Sequence, residues 1–334
     1  MTQYHVLEFD RIGDRMGLVF GVARFPDLGE HEVLYKVFAF GLNQADLLLM
    51  EGRHYVTSDL PVRIGYEASG EVIEVGRSVS QFKRGDRITC IPNVDGPYSV
   101  AGEYALADEA FLTPWPAGFS AIEAAGFWMQ YLTAYFPLKE LFPVKEGDWV
   151  LITAASGGTG LGAIRMAKLF GARVIATSRS ASKRDLLLAH GAEEVLPTDA
   201  SNLAAEVRRI TNGGARLVCD SMGGPFVAQL VDALAERGII YVHGGLSGSN
   251  QLSFPVLSLV RRGAGLYGFS LINELRSPEA MKRGRDFVLD AVARGALPAP
   301  TIDQVFPFSE AESAYARMRS GAQRGKIIVA MEPA

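Results

Sequence analysis

The chain has 334 residues, 48% of them hydrophobic and 21% charged, with a formal net charge of −4 and a pI of about 5.8. That length supports two sizeable cores, and the composition is that of a globular protein in water. The mildly acidic balance gives no electrostatic reason to expect nucleic acid or an anionic membrane as partner.

The opening MTQYHVLEFDRIGD is acidic and lacks the basic-then-apolar layout of a signal peptide. No apolar run approaches the roughly eighteen residues of a membrane span. Cys90 and Cys219 lie far apart and read as reduced thiols. A cytoplasmic location is expected.

Residues 1–115 read as β-rich. Short runs such as Val33–Phe38, Gly70–Val75 and Asp86–Ile91 are separated by Gly, Pro, Asn and Asp, which suggests a small barrel-like domain. After the Pro114-Trp-Pro116 connector, Ser120 to Leu138 has helical periodicity. It opens on a capping box of Ser120 and Glu123.

The stretch Trp149–Lys183 carries the strongest signal. Trp149-Val-Leu-Ile-Thr153 has the length and branching of a buried parallel strand. Ala154-Ala-Ser-Gly-Gly-Thr-Gly160 follows, then a helical pattern with Leu161, Ile164, Ala167, Leu169 and Phe170 on one side, then Arg173-Val-Ile-Ala-Thr177. This is a βαβ unit with a glycine turn at the helix start, the layout that binds a dinucleotide. A pyrophosphate must approach the unsatisfied amides of the helix N-terminus, and Gly157, Gly158 and Gly160 clear that approach. Gly162 is expected to let the helix pack on the strands.

Past Lys183 the alternation continues. Helices are expected at Lys183–His190, Ser201–Thr211, Phe226–Glu236, Glu279–Arg294 and Ser309–Gly321. Strands are expected at Glu194–Leu196, Leu217–Asp220, Ile239–His243 and Gly265–Phe269, giving about six in a doubly wound sheet. The final run Gly325–Val329 comes too late in the chain to belong to that sheet. No internal repeat or low-complexity tract is present.

A nucleotide domain between a β domain and a return segment resembles the medium-chain dehydrogenase/reductases, in particular their zinc-independent quinone oxidoreductase (zeta-crystallin-like) branch. The resemblance covers nearly the whole chain. Its carriers are Gly41-Leu-Asn-Gln-Ala-Asp46, Gly65-Tyr-Glu-Ala-Ser-Gly70, Phe82-Lys-Arg-Gly-Asp-Arg87, Gly102-Glu-Tyr-Ala105, Leu132-Thr-Ala-Tyr135, the glycine turn and Gly325-Lys-Ile-Ile-Val329. It implies a GroES-like domain over 1–124, a Rossmann domain over 125–270 and a return segment, 271–334, that completes the first, with the active site in the cleft between domains.

Zinc members of this family would carry Cys at Asn43, His at Tyr66 and a third ligand near Met129. Catalytic zinc needs three protein ligands, so no metal is expected. Without a Lewis acid, hydride delivery to an already electrophilic carbon is more natural than alcohol oxidation. Quinones, enones and enoyl thioesters all qualify, since each gathers negative charge on a carbonyl oxygen that hydrogen-bond donors stabilise.

The second nucleotide strand ends Ala176-Thr-Ser-Arg-Ser180, without the acid that grips an NAD ribose. Ser178 aligns with that position, and Arg179 and Lys183 supply cations for a 2′-phosphate, so NADPH is expected. The plainer reading is that both cations belong to a solvated helix start. The resemblance adds contacts from Ser156 and Thr159 in the turn, Thr133 near the nicotinamide, Gly244-Gly245-Leu246, Phe269 and Ser270, and Lys326 near the phosphates. His243 is read as structural.

By resemblance, Asn43 lies beside the nicotinamide or the substrate carbonyl. Tyr55 matches a cleft tyrosine proposed as proton donor in enoyl thioester reductases, and a phenol with a pKa of about 10 enters protonated. An ordinary loop aromatic is the alternative, and Val56, where relatives have proline, leaves the loop's shape open. Asp46 is expected to orient backbone or Asn43. The function expected is NADPH-dependent reduction of a quinone or activated alkene. The alternatives are a 2-enoyl thioester reductase, with Arg261-Arg262 in a basic patch, and a non-catalytic NADPH-binding protein. The apolar stretch Gly263–Ile272 is a sheet edge that self-pairing would satisfy, so a homodimer is expected. Otherwise Asn273–Ser277 would fold back over it.

Overall fold

The apolar run at Val33–Phe38 lies in a ten-residue strand, Glu32–Gly41, whose Val33, Tyr35, Val37 and Ala39 are fully buried. The structure is a computed structural model that describes all residues except 1–2, 14–16, 56–58, 94–95, 199–201, 250 and 332–334. Val56 and the expected helix start at Ser201 therefore lie outside the described residues. Contacts divide the chain into two units, Met1–Met129 with Ala299–Ala334, and Gln130–Pro298.

In the first unit Glu32–Gly41 lies within a seven-stranded sheet. Its order is Ile302–Pro307, Lys326–Ala330, Glu32–Gly41, Glu67–Val75, Arg87–Cys90, Leu112–Pro114, with Tyr104–Asp108 also pairing Glu32–Gly41. The first pair is parallel and the other pairings are antiparallel. A three-stranded sheet of Leu18–Arg24, Gln3–Phe9 and Val62–Arg63 accompanies it. The core takes Leu7 and Phe40 from one end of the chain and Phe306, Tyr315 and Val329 from the other. Helix α1 (Gln44–Met50) leaves the end of Glu32–Gly41 and buries Asp46, Leu47 and Met50.

Helical periodicity after Ser120 is realised in two pieces. The capping box forms, with Ser120 N–H donating to Glu123 at 2.7 Å and Glu123 N–H to Ser120 Oγ at 3.3 Å. The helix nevertheless stops at Ala124 and resumes as α2 (Trp128–Tyr135). Gly126 lies in the break, where a Cβ would come within 2.9 Å of Ile328 Cδ1. Beyond α2, Phe136–Leu141 widens to a π turn around Pro137, which has no N–H to give.

The second unit holds six parallel strands, β1 (Trp149–Ile152), β2 (Arg173–Ser178), β3 (Glu194–Pro197), β4 (Ala215–Asp220), β5 (Leu234–Val242) and β6 (Gly265–Gly268). Their order is β3-β2-β1-β4-β5-β6. The reversal falls between β1 and β4, where such sheets bind ligands at the strand C-termini. Helix α3 (Gly158–Leu169) links β1 to β2.

Three expectations change. The helix expected over Phe226–Glu236 covers Val227–Ala233, because Leu234 already pairs Ala215 across the β4–β5 ladder. The return segment expected from 271 starts only at Ala299: the helix expected over Glu279–Arg294 covers Pro278–Ala293 in the second unit. The apolar edge stretch Gly263–Ile272 is a strand only over Gly265–Gly268 before an unexpected helix, Leu271–Leu275, in the same unit. Gly162 packs on α2 rather than on strands, since a Cβ there would meet Gln130 O at 2.8 Å. Cys90 and Cys219 are both buried free thiols. Among the described residues no helix is long and apolar enough to cross a membrane.

Candidate active site

The glycine turn is built for close approach. Ala154 sits at φ +46°, and a Cβ at Gly160 would meet Ala155 O at 2.5 Å, so the turn holds only with glycine there. A Cβ at Gly157 would point into open space. The first bond inside α3 runs from Leu161 N–H to Gly157 O at 2.9 Å. Gly158, Thr159 and Gly160 precede it, in the turn where amides lack a helical partner and favour an anion. This cradle fits a pyrophosphate.

The same edge of the sheet gathers most of the other expected cofactor residues. Ser156 follows β1, Ser178 ends β2 and Arg179 is exposed beyond it, Gly244, Gly245 and Leu246 follow β5, and Phe269 and Ser270 follow β6. Ser178 Oγ accepts from Ser180 N–H at 3.2 Å. Lys183 is buried, in contrast to exposed Arg179. Thr133 is on α2, buried.

One group at this edge escaped sequence reasoning. Asp220, fully buried at the end of β4, accepts from Thr153 Oγ1 at 2.9 Å, Met222 N–H at 3.0 Å and Gly223 N–H at 3.0 Å. Burial raises its carboxyl above the usual range, and those three donors pull it back. The loop it holds abuts the next one, since Leu246 N–H donates to Ser221 O at 3.1 Å and Ser247 N–H to Met222 O at 2.9 Å. The only sequence signal was an acid closing an apolar run ahead of Gly223-Gly224.

In the first unit, Asn43, Asp46, Glu67 and Lys326 form a buried polar cluster. Lys326 Nζ donates to Glu67 Oε1 at 2.5 Å, Asn43 Oδ1 at 2.8 Å and Leu42 O at 3.1 Å. An ammonium has three N–H bonds, so none is left for the cofactor phosphates it was expected to meet. Asn43 Nδ2 donates to Gly41 O at 3.1 Å and Glu67 Oε1 at 3.2 Å, so the carboxamide is occupied at both ends. Glu67 Oε2 accepts Met129 N–H at 3.0 Å, in the first turn of α2. Glu67 was not singled out in the sequence, although it sits inside the Gly65–Gly70 motif.

Asp46 orients backbone as expected, taking Asn43 N–H at 2.9 Å and Gly65 N–H at 3.3 Å. Desolvation raises its carboxyl to about 7 against those bonds and the Lys326 charge. Tyr66 is buried beside it, and desolvation followed by the Asp46 charge pushes its phenol up. Tyr55 is 62% exposed and stacks on His54 with centroids 4.4 Å apart.

These positions do not suit a zinc ion. Asn43, Tyr66 and Met129 stand where the family's ligands would be, and among the described residues no group of three or more His, Cys, Asp or Glu could hold a metal.

Comparison with known proteins agrees with this geometry. Residues 29–146 match the alcohol dehydrogenase GroES-like domain and residues 158–292 the family described as zinc-binding dehydrogenase. The chain is 31% identical over 307 residues to quinone oxidoreductase-like protein 2 of Bos taurus, covering 90% of this chain and 86% of that one. It superposes on Escherichia coli quinone oxidoreductase complexed with NADPH with a TM-score of 0.87 at 26% identity, covering 98% and 99% of the two chains. The JamJ enoyl reductase gives a TM-score of 0.87 at 25% identity, covering 99% and 100%. The fold is thus that of a nucleotide-dependent oxidoreductase with a GroES-like domain and a Rossmann domain. The chain belongs to the medium-chain dehydrogenase/reductase superfamily, in its quinone oxidoreductase branch.

Proposed function

We propose that the chain uses NADPH to reduce a quinone or another α,β-unsaturated carbonyl compound. The observation that carries the reading is the end of β2, where buried Ser178 and exposed Arg179 follow Thr177 and the strand closes on a hydroxyl instead of an acidic residue that would repel a 2′-phosphate. The E. coli relative's complex with NADPH supports the same cofactor. Gly157–Gly160 with Ser156 would hold the pyrophosphate, and Ser178, Arg179 and Lys183 the 2′-phosphate end. Thr133, Gly244, Gly245, Leu246, Phe269 and Ser270 would flank the nicotinamide half.

NADPH supplies the hydride. As it adds to the electrophilic carbon, the π electrons move onto the carbonyl oxygen. The Tyr55 phenol gives that oxygen a proton and recovers one from water. Asn43 lines the substrate side, oriented by Glu67 and Lys326. A 2-enoyl thioester substrate is the second reading, favoured by the JamJ likeness. Its basic patch is thinner than the sequence suggested, because Arg262 is buried and donates to Ser258 O at 3.0 Å and Asp232 O at 3.3 Å.

The test is NADPH oxidation measured across quinones, enones and enoyl-CoAs. Turnover with quinones or enones supports the first reading and turnover confined to enoyl-CoAs the second. Tight NADPH binding with no turnover on any of them supports a binding protein. We further propose a homodimer through β6, the last strand in the sheet order, where Tyr267 is exposed, as are Val256, Leu257 and Val260 of the preceding helix. A monomer mass in light scattering sinks it.

A further inference from the structure

His243, read as structural from sequence, directly follows β5, and its N–H donates to Asp220 O at 2.9 Å. Strand alternation places its side chain on the face of Tyr241, opposite Ile240 and Val242, which pack in the core with Val227 and Leu259. The His243 and Tyr241 ring centroids are 5.4 Å apart, and Phe269 meets Tyr241 edge-on at 5.9 Å. Among the described residues no protein group bonds to either His243 ring nitrogen. The ring is half-buried, and desolvation pushes it down to about 4. It is therefore a neutral imidazole near pH 7, with one N–H to give and one lone pair to fill. Leaving both unmet in a partly dry site costs free energy that a ligand would recover.

Sheet order indicates which part of a dinucleotide reaches this ring. The pyrophosphate cradle follows β1, and the ribose position at Ser178 ends β2 on one side of it. Strand β5 lies two strands away on the other side, about 10 Å at ~4.8 Å per strand. A cofactor lying across the edge turns its nicotinamide half toward β4 and β5. That half carries a carboxamide, which offers both an N–H and a carbonyl oxygen.

We propose that His243 binds the nicotinamide carboxamide and so fixes which way the ring is turned. This rests on the NADPH reading above. The amide meets one ring nitrogen, its N–H on the imidazole lone pair or its carbonyl oxygen on the imidazole N–H, and no proton changes hands.

The experiment compares NADPH with 2′-phospho-ADP-ribose, which lacks the nicotinamide. His243→Phe keeps the ring against Tyr241 and removes both nitrogens. It should weaken NADPH by about tenfold and leave the fragment within about twofold. His243→Gln, which restores a donor and an acceptor, should recover about half of the loss on a logarithmic scale. Equal weakening of both ligands by His243→Phe would mean that the side chain only shapes the sheet edge, and overturns the proposal. So does NADPH binding unchanged in a folded His243→Phe variant; should that variant not fold, a Gln variant that binds NADPH no better than the fragment decides against it. A parent protein that binds the fragment but not NADPH sinks the cofactor reading, and this one with it.

Discussion

Thr153 Oγ1 donates to Asp220 Oδ1 at 2.9 Å while accepting the N–H of Ser221 at 3.0 Å. One hydroxyl thus joins the start of the glycine turn to the loop after β4. That loop also receives Leu246 and Ser247 on its backbone carbonyls, so the loop that the buried carboxylate holds ties together three segments of the cofactor edge. Asp220→Asn puts an amide N–H against a backbone N–H. It should cost about 1–3 kcal/mol in urea unfolding and weaken NADPH by about tenfold. Thr153→Ser, which keeps the hydroxyl, should lie close to the parent in both, and Thr153→Val should not. Unfolding curves and fluorescence titrations with NADPH check both effects.

Asp46 should leave a mark on the pH dependence of stability. Its carboxyl is raised to about 7 in the fold and returns to about 3.9 when unfolded. Between those values the folded state holds a proton that the unfolded state releases, so this group makes stability fall as pH rises. His243 acts in the opposite sense from about 4 to 6.5, because its folded value is depressed. Asp46→Asn removes only the first effect. Its melting temperature relative to the parent should therefore improve from about pH 5 to about pH 8. A difference that stays flat with pH would mean that Asp46 is ionised throughout.

The Lys326–Glu67 pair predicts an asymmetry between single and double variants. Both side chains are almost wholly buried. Lys326→Met strands the Glu67 charge and should cost about 3–5 kcal/mol. Adding Glu67→Gln removes that charge, so the double variant should regain much of the loss. Additive losses in chemical denaturation would show that the two side chains do not depend on each other.

Cofactor choice should depend on Arg179, the exposed cation at the end of β2. Arg179→Ala should weaken NADPH by about tenfold while NADH stays within about twofold. Dissociation constants from fluorescence titration decide this, and equal constants for both cofactors in the parent would remove its basis.

The Rossmann unit could be read from sequence because its information is local. Trp149–Thr153, the glycine turn and Arg173–Thr177 each signal within a few residues, and the structure places strands and helix accordingly. Lys326 could not be read that way. Its acceptors on Glu67 and Asn43 are 259 and 283 residues away, and no periodicity reports such a pairing. Pro278–Ala293 fails for a related reason. Its helical pattern shows that one face is covered, but not which unit covers it. Asp220 was hidden because an acid at the end of an apolar run looks the same whether it meets water or three buried donors.

The late strand Lys326–Ala330 has a consequence for how the chain is made. It lies between Ile302–Pro307 and Glu32–Gly41, so the first unit to leave the ribosome is the last whose sheet can close. Until residue 326 emerges, the Glu67 carboxylate has no cation to accompany it out of water. The Rossmann strands, contained within residues 149–268, are all available earlier. Synthesis therefore completes the middle of this chain before its beginning, and a ribosome stalled after residue 298 would carry a nucleotide domain whose partner still lacks two strands.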